Sequence, residues 1–378
     1  MNIVLVGGGL AAQRCAHTLR RRGHDGGITL LGDEGRLPYD RPPLSKEHLA
    51  GEMEDGALAL RPHAWYAEHG VELRLDDPAV ALDPLACTVR TESGADVRYD
   101  RVLIATGARP VQLPGSQGFD NVHTLRSARD AAALAAHLRP GARLAIAGAG
   151  FIGQEVAATA RGLGADVSVV EAAPAPLYGL LGAELGGWFA QLQREEGVDV
   201  RLGTRIERFH GDGRTLRALA LSDGTELRCD ALLTGVGVRP DTRWLADAGL
   251  PSDGIPVDAT GATALPGVFA AGDVAHGHHW EAAVAQGVAA AHGMLGLAPP
   301  AHPRPSFWSD QYGIRIQFAG DPRGADAVEL DGDPAARDFA ALYLRDGVVR
   351  AGLLVGRPRA LPELRAQLDQ PMPDRRIA

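Results

Sequence analysis

The residues with the plainest chemical purpose are glycines. Gly7-x-Gly9-x-x-Ala12 and Gly148-x-Gly150-x-x-Gly153 each follow a short apolar run and open a stretch with helical spacing. Small residues there let a backbone approach a pyrophosphate, whose charge then meets the amides and macrodipole at a helix N-terminus. In the first copy Ala12 replaces the third glycine and still permits close helix–strand packing. One such turn is weak, because a bare glycine turn is often structural. Two of them, each with a strand before, a helix after and an acid closing the second strand, predict two dinucleotide sites. Glu171 is the acid of the second copy. A carboxylate there either accepts hydrogen bonds from adenosine ribose hydroxyls or merely caps the strand. In the first role it opposes a 2′-phosphate. At about 4 Å and an effective dielectric near 20, each unit of that charge costs about 4 kcal/mol. Ala172 and Ala173 follow, with no arginine to offset the cost, so NADH is expected in preference to NADPH.

Such turns need βαβ units to hold them. In the first, Ile3 to Val6 reads as a strand and Leu10 to Arg22 as a helix, with Leu10, Ala12, Cys15, Ala16 and Leu19 on its apolar face. Ile28 to Leu31 reads as the next strand, ending in Gly32-Asp33-Glu34. In the second, Leu144 to Ala147 is the strand, Phe151 to Leu163 the helix and Val167 to Val170 the following strand. Units of this kind imply parallel sheets with helices on their faces. VLIATGARP (Val102 to Pro110) and its weaker echo ALLTGVGVRP (Ala231 to Pro240) read as crossings between domains, because Gly and Pro punctuate exposed connections. PGVFAAGDVA (Pro266 to Ala275) is a short strand followed by Gly-Asp. The expected class is α/β, with two Rossmann-like dinucleotide-binding domains and a small α+β C-terminal domain. The expected divisions are 1–111 with 231–300, then 112–230, then 301–378, the last opened by a proline-dense linker at 299–305. Within it, Asp346-Gly347 predicts a hairpin turn. The residues after Leu368 read as a poorly ordered tail.

The net charge of −9, from 38 basic and 47 acidic residues, disfavours nucleic acid and anionic membrane as partners. Cys15, Cys87 and Cys229 form no CxxC and read as buried or half-buried thiols. No apolar run reaches the roughly 18 residues a bilayer span requires, so a cytoplasmic protein is expected.

Five strings carry a family resemblance: LLGDEGRLPYDRPPLSK (Leu30 to Lys46), ATGARPVQLPG (Ala105 to Gly115), GAGFIGQEVAATARGLGADVSVVE (Gly148 to Glu171), FAAGDVA (Phe269 to Ala275) and FWSDQYGIRIQ (Phe307 to Gln317). Over almost its whole length the chain resembles the NADH-dependent ferredoxin reductases of bacterial cytochrome P450 and ring-hydroxylating dioxygenase systems, the putidaredoxin and rhodocoxin reductase family. The resemblance implies a glutathione-reductase-like fold and two cofactors, FAD and NADH. It implies an iron–sulfur ferredoxin as electron acceptor, serving a P450 or oxygenase. By the same match FAD is bound through the first glycine turn, Gly7 and Gly9, with Asp33 and Glu34 near the adenosine end, and Leu10, Ala11, Val80, Ala105, Thr106, Gly107 and Gly272 are cofactor-binding residues. Arg41 and Lys46 fall in the FAD-contacting loop, Arg126 points toward the dinucleotide, and Asp273 meets the ribitol chain. The second turn, Gly148, Gly150 and Gly153, and Glu171 fall to NADH, and Ile152 and Gly237 are further cofactor-binding residues. The resemblance places Lys46 and Glu155 as the catalytic pair at the flavin N5 edge, where a surface ion pair of little value is the plain alternative. It sets Trp280 and Trp308 near the isoalloxazine; as isolated tryptophans they would be ordinary core.

Thiol-dependent relatives keep a cysteine near the flavin, where this chain has Pro42-Pro43-Leu44-Ser45, which argues against a disulfide reductase. The segment from Asp273 to Gln286 is shorter than the family's, and the C-terminal segment looks trimmed. These departures leave an alternative open: an FAD- and NADH-dependent enzyme acting on a small acceptor such as a quinone, flavin, dioxygen or a biosynthetic substrate. The cluster His276, His278 and His279 reads as solvated loop, and no metal is expected. A monomer or a homodimer fits the sequence equally.

Overall fold

The computed structural model describes residues 1–277, 279–301, 304 and 306–372. It divides into two compact units: Met1–Asp40, Asp55–Arg109 and Val238–Pro303 form one, and Arg41–Glu54, Pro110–Gly237 and Arg304–Ala378 the other.

The first unit is built on a five-stranded sheet. Edge to edge it runs Val268–Ala270, Arg101–Ile104, Ile3–Val6, Ile28–Leu31 and Val71–Arg74, every pair parallel. The strands are short and almost wholly apolar because both faces are covered. Helix Leu10–Arg21 packs its small face, Ala11, Ala12, Cys15 and Ala16, into the core with Leu5, Leu30 and Leu103. Helix Trp280–Met294 lies against it so closely that a Cβ on Gly287 would meet the Ala11 carbonyl oxygen at 2.4 Å.

The second unit repeats this plan. Its parallel sheet runs Val122–His123, Ala231–Thr234, Arg143–Ala147, Asp166–Val170 and Asp199–Arg201. The glycine turn again sits on the middle strand, and helix Phe151–Gly162 follows it. In each unit a three-stranded antiparallel meander leads back to the strand beside the glycine turn: Ala79–Asp83, Thr88–Thr91 and Asp96–Arg98 in the first, Ile206–Asp212, Thr215–Leu221 and Glu226–Arg228 in the second. An aspartate fixes the register of each returning strand. Asp100 accepts from the Asn2 N–H at 2.6 Å and returns its own N–H to the Asn2 carbonyl. Asp230 takes three donors from Arg143, at 2.7 to 3.1 Å, and returns its N–H to the Arg143 carbonyl. The Arg143 guanidinium holds the Asp230 carboxyl down at about 2.

The second unit also contains a five-stranded antiparallel sheet, Ser306–Gln311, Ile314–Gly320, Val348–Val355, Asp338–Arg345 and Ala327–Asp333. One face packs Ile316, Phe318 and Phe339 on Leu181, Leu185 and Phe189 of helix Tyr178–Glu195. The other is covered by helix Leu361–Gln367 through Leu364. Asp346 and Gly347, both left-handed, turn the expected hairpin.

Four expectations need correcting. The strand Ala231–Thr234 hydrogen-bonds to Arg143–Ala147, so the return to the first unit falls at Val238 and not at 231. Residues 41–54, assigned by position to the first domain, belong to the second unit, where Leu49 joins the core of the glycine-turn helix. Cys87 is exposed, in a left-handed turn, while Cys15 and Cys229 are buried. The chain beyond Leu368 is held at first: the Asp369 N–H donates to the Val349 carbonyl and the Met372 N–H to that of Gly347. The remainder of that tail, His278 and linker residues 302, 303 and 305 lie outside the described residues.

Candidate functional site

In the first unit Gly7 has φ +118° and a Cβ there would stand 2.2 Å from the Ala105 carbonyl oxygen, so only glycine fits. Gly9, the helix N-cap, is the opposite case: a Cβ there meets nothing within 4 Å. Open space therefore lies in front of a helix end at Leu10 and Ala11, whose N–H groups have no intrahelical acceptor. The Gly272–Asp273 corner abuts this helix end, with a Gly272 Cβ position 3.4 Å from the Ala11 Cβ. Asp273 opens a short 3-10 turn there. Asp33 is exposed, and the Tyr39 hydroxyl donates to Glu34 at 2.6 Å. The Thr106 hydroxyl donates to the Asp241 carbonyl at 2.7 Å, and the Gly107 carbonyl accepts from the Asp241 N–H. Val80 lies on the meander, not on the parallel sheet, and is exposed. The Trp280 indole N–H donates to Asp40 at 2.7 Å.

The second unit builds the same cradle. Gly148, φ +101°, would put a Cβ 2.5 Å from the Gly235 carbonyl oxygen, and Gly150 faces open space. A Cβ on Gly153 would lie 2.2 Å from the Gly148 carbonyl, which is the close helix–strand approach expected of the third glycine. Ile152 is exposed at the helix start, and Gly237 is left-handed with open space around it. Glu171 ends its strand with both oxygens anchored: one accepts from the Ala149 N–H and the other from the Ala173 N–H, each at 2.7 Å. Register shows how the acids differ. Val6 pairs with Leu31, and Ala147 with Val170, so Glu171 corresponds to Gly32 and the first unit's acid comes one residue later. Both cradles fit a dinucleotide: the first glycine is pinned to backbone, and the second leaves room where a pyrophosphate would reach the helix amides.

Beside the second cradle is a buried polar cluster. Lys46 and Glu155 form an ion pair at 2.6 Å, with side chains 12% and 4% exposed. Glu155 lies in the first turns of helix Phe151–Gly162. Lys46 follows the 3-10 turn Pro42–Ser45 and also donates to the Pro42 carbonyl. The Thr159 hydroxyl ties that turn to the helix by donating to the Ser45 carbonyl at 2.7 Å. The Ser45 hydroxyl donates to one Glu155 oxygen at 2.5 Å, and the Ser309 hydroxyl to the other at 2.7 Å. Arg41 donates to the Arg126 carbonyl within the same unit. Phe307 packs edge-on against Phe151, 4.7 Å between ring centres. Strand alternation sends Trp308 to the face opposite Phe307 and Ser309. Burial raises the Cys15 thiol far above its ordinary value and pushes Cys229 up to about 12, so neither is a ready nucleophile.

Sequence reasoning missed Ser45 and Ser309, and with them Gln311, which donates to the Ser309 hydroxyl at 3.1 Å, Gln193, which donates to Gln311 at 3.2 Å, and Tyr312, which donates to Gln193 at 2.6 Å. The available signal was the period-two spacing of Ser309 and Gln311, which puts both on one strand face. No helix among the described residues is long and apolar enough to cross a membrane.

Residues 1–287 match the pyridine nucleotide-disulphide oxidoreductase family, and residues 306–376 match a family described as reductase C-terminal. The chain is 38% identical to the biphenyl dioxygenase system ferredoxin–NAD(+) reductase component of Paraburkholderia xenovorans, over 94% of this chain and 90% of that one. It is 37% identical to a probable ferredoxin reductase, CtmF, of Castellaniella defragrans, with the same coverage. Among solved structures it is similar to the reductase of a covalent putidaredoxin reductase–putidaredoxin complex. The TM-score is 0.93 at 32% identity, over 97% of this chain and 94% of that one.

Proposed function

The chain belongs to the pyridine nucleotide-disulphide oxidoreductase family, and from that premise we propose that it is an FAD-dependent NADH:ferredoxin oxidoreductase, its iron–sulfur acceptor serving a cytochrome P450 or an oxygenase. The observation that carries this reading is the doubled cradle, one in each unit, with the same pinned first glycine and the same open second glycine. Relatives named as ferredoxin reductase components supply the acceptor class.

We assign FAD to the first unit. Gly7, Gly9, Leu10 and Ala11 receive its pyrophosphate, Asp33, Glu34 and Val80 its adenosine end, and Gly272 and Asp273 its polyol. Ala105, Thr106 and Gly107 form the floor under the turn. NADH is assigned to the second unit, on Gly148, Gly150, Ile152, Gly153 and Gly237, with Glu171 receiving the ribose hydroxyls. Bound FAD supplies the chemistry that joins a two-electron nicotinamide donor to a one-electron iron–sulfur acceptor. The chain supplies binding, orientation and charge. Lys46, little exposed and aimed by Glu155, offers a fixed positive charge to the negative charge that develops on reduction, and such preorganised charge needs no rearrangement when it acts. No thiol takes part. The free cysteines suit a reducing compartment, and we place the enzyme in the cytoplasm.

The test is anaerobic mixing with NADH, followed by cytochrome c reduction with and without an added [2Fe–2S] ferredoxin. The yellow colour of bound FAD is expected to bleach, and cytochrome c reduction to be strongly stimulated by the ferredoxin. Fast turnover on a quinone, free flavin or dioxygen with no ferredoxin effect would replace the acceptor. A colourless protein that refuses FAD would end the reading.

A further inference from the structure

We infer that Tyr312, Gln193, Gln311 and Ser309 form a one-way hydrogen-bond chain that positions the Glu155 carboxylate, and through it the Lys46 ammonium. These four are positioning residues for the reduction step. The inference rests on the role assigned to Lys46 and Glu155 above.

The direction of every bond is forced. The Glu155 carboxylate accepts, so Ser309, 2.7 Å away, must donate its only hydroxyl proton to it. Ser309 then has only lone pairs left, and Gln311 donates to it through its amide NH2 at 3.1 Å. That turns the Gln311 carbonyl toward Gln193, whose NH2 donates at 3.2 Å. The Gln193 carbonyl is left to accept from the Tyr312 hydroxyl at 2.6 Å. Four donors thus point the same way and end on one carboxylate oxygen, while Ser45 and Lys46 hold the other. Aligned bonds of this kind polarise one another in a low-dielectric interior. Ser309, Gln311, Gln193 and Glu155 are all buried.

Two features mark the chain as more than packing. Apolar side chains would fill the same interior without the need to satisfy buried amides. The far end is also held in an unfavourable conformation. Tyr312 and Gly313 form the two-residue loop between strands Ser306–Gln311 and Ile314–Gly320, with φ of +52° and +75°. Asn or Gly is preferred at such a first position, and a tyrosine there is strained. Burial raises the Tyr312 hydroxyl far above the ordinary tyrosine range, so it stays a donor at every working pH. The chain lets the antiparallel sheet set the orientation of a carboxylate on the glycine-turn helix.

The test is a double-mutant cycle of Tyr312→Phe and Ser309→Ala in the FAD-bound protein. It reads the anaerobic rate of flavin reduction by NADH, the NADH KM, the midpoint potential of bound FAD and the Tm. Ser309→Ala is expected to slow reduction roughly tenfold and Tyr312→Phe about threefold, the scale of losing a hydrogen bond to a charged group and a neutral one. Both are expected to leave KM unchanged and to lower the midpoint potential. The double variant is expected to match Ser309→Ala alone, because Tyr312 acts through Ser309. Ser309→Thr, which keeps the hydroxyl, restores the rate. Multiplicative losses in the double variant would overturn the chain, as would losses confined to Tm with rate and potential unchanged. Lys46→Ala serves as the reference. If it is slow while Tyr312→Phe is normal, only the chain fails; if it is as fast as the unaltered protein, the role of the ion pair fails and the chain with it.

Discussion

Glu171 shows how much one residue decides. Its two oxygens are already committed to the Ala149 and Ala173 N–H groups, so the carboxylate is held at the strand end before any ligand arrives. A 2′-phosphate there would meet a fixed negative charge. Glu171→Ala combined with Ala172→Arg is expected to raise the NADPH/NADH ratio of kcat/KM by about one to two orders of magnitude. Steady-state kinetics with both cofactors checks it, and an unchanged ratio would remove Glu171 from the ribose. The position of this residue was legible because it follows from a local pattern of strand, glycine turn, helix, strand and acid. Ser309 and Gln193 were not legible, because their meaning lies in a partner far off in sequence: Ser309 is 154 residues from Glu155, and Gln193 is 118 from Gln311. A serine in a strand carries no sign that it faces a buried carboxylate.

At the level of strands and helices, the first two glycines of a turn can be told apart by what a methyl group would strike. Gly148→Ala drives a Cβ into the Gly235 carbonyl at an unfavourable φ, and is expected to cost about 3 kcal/mol or the fold itself. Gly150→Ala meets no protein atom within 4 Å and has an ordinary extended backbone. It is expected to leave stability within roughly 0.5 kcal/mol while raising the NADH KM about tenfold, because the methyl occupies the pyrophosphate's place. Thermal melts and kinetics on the two variants check the contrast. A Gly150→Ala protein with normal KM would show that no phosphate lies there. The βαβ units were legible to within a residue at most ends, because buried parallel strands and a small-faced helix leave a clear periodicity. The crossings were harder. Asp100 before Arg101–Ile104 and Asp230 before Ala231–Thr234 are equivalent clasps, yet the second strand was expected to rejoin the first domain. Its burial on both faces gives no clue to which sheet claims it; the Arg143–Asp230 bonds decide that.

Across the whole molecule, each unit is assembled from three separate stretches of chain. That arrangement sets an order of birth. A polypeptide leaves the ribosome from its N-terminus. The parallel sheet of the second unit has every strand once Thr234 has emerged, whereas the first still lacks its edge, Val268–Ala270. The parallel sheet that starts first is therefore completed later, although the second unit still awaits Arg304–Ala378, and its opening strands wait for their edge until Ala270 has emerged. Nascent chains stalled shortly after Thr234 are expected to resist protease within 110–237 and to be cut within 1–109; equal protection of both would contradict this order. On the assignment of the yellow cofactor to the first unit, its loading is expected to wait for the Gly272–Asp273 corner, so a messenger truncated before that codon is expected to yield a colourless product, however well its opening glycine turn is made.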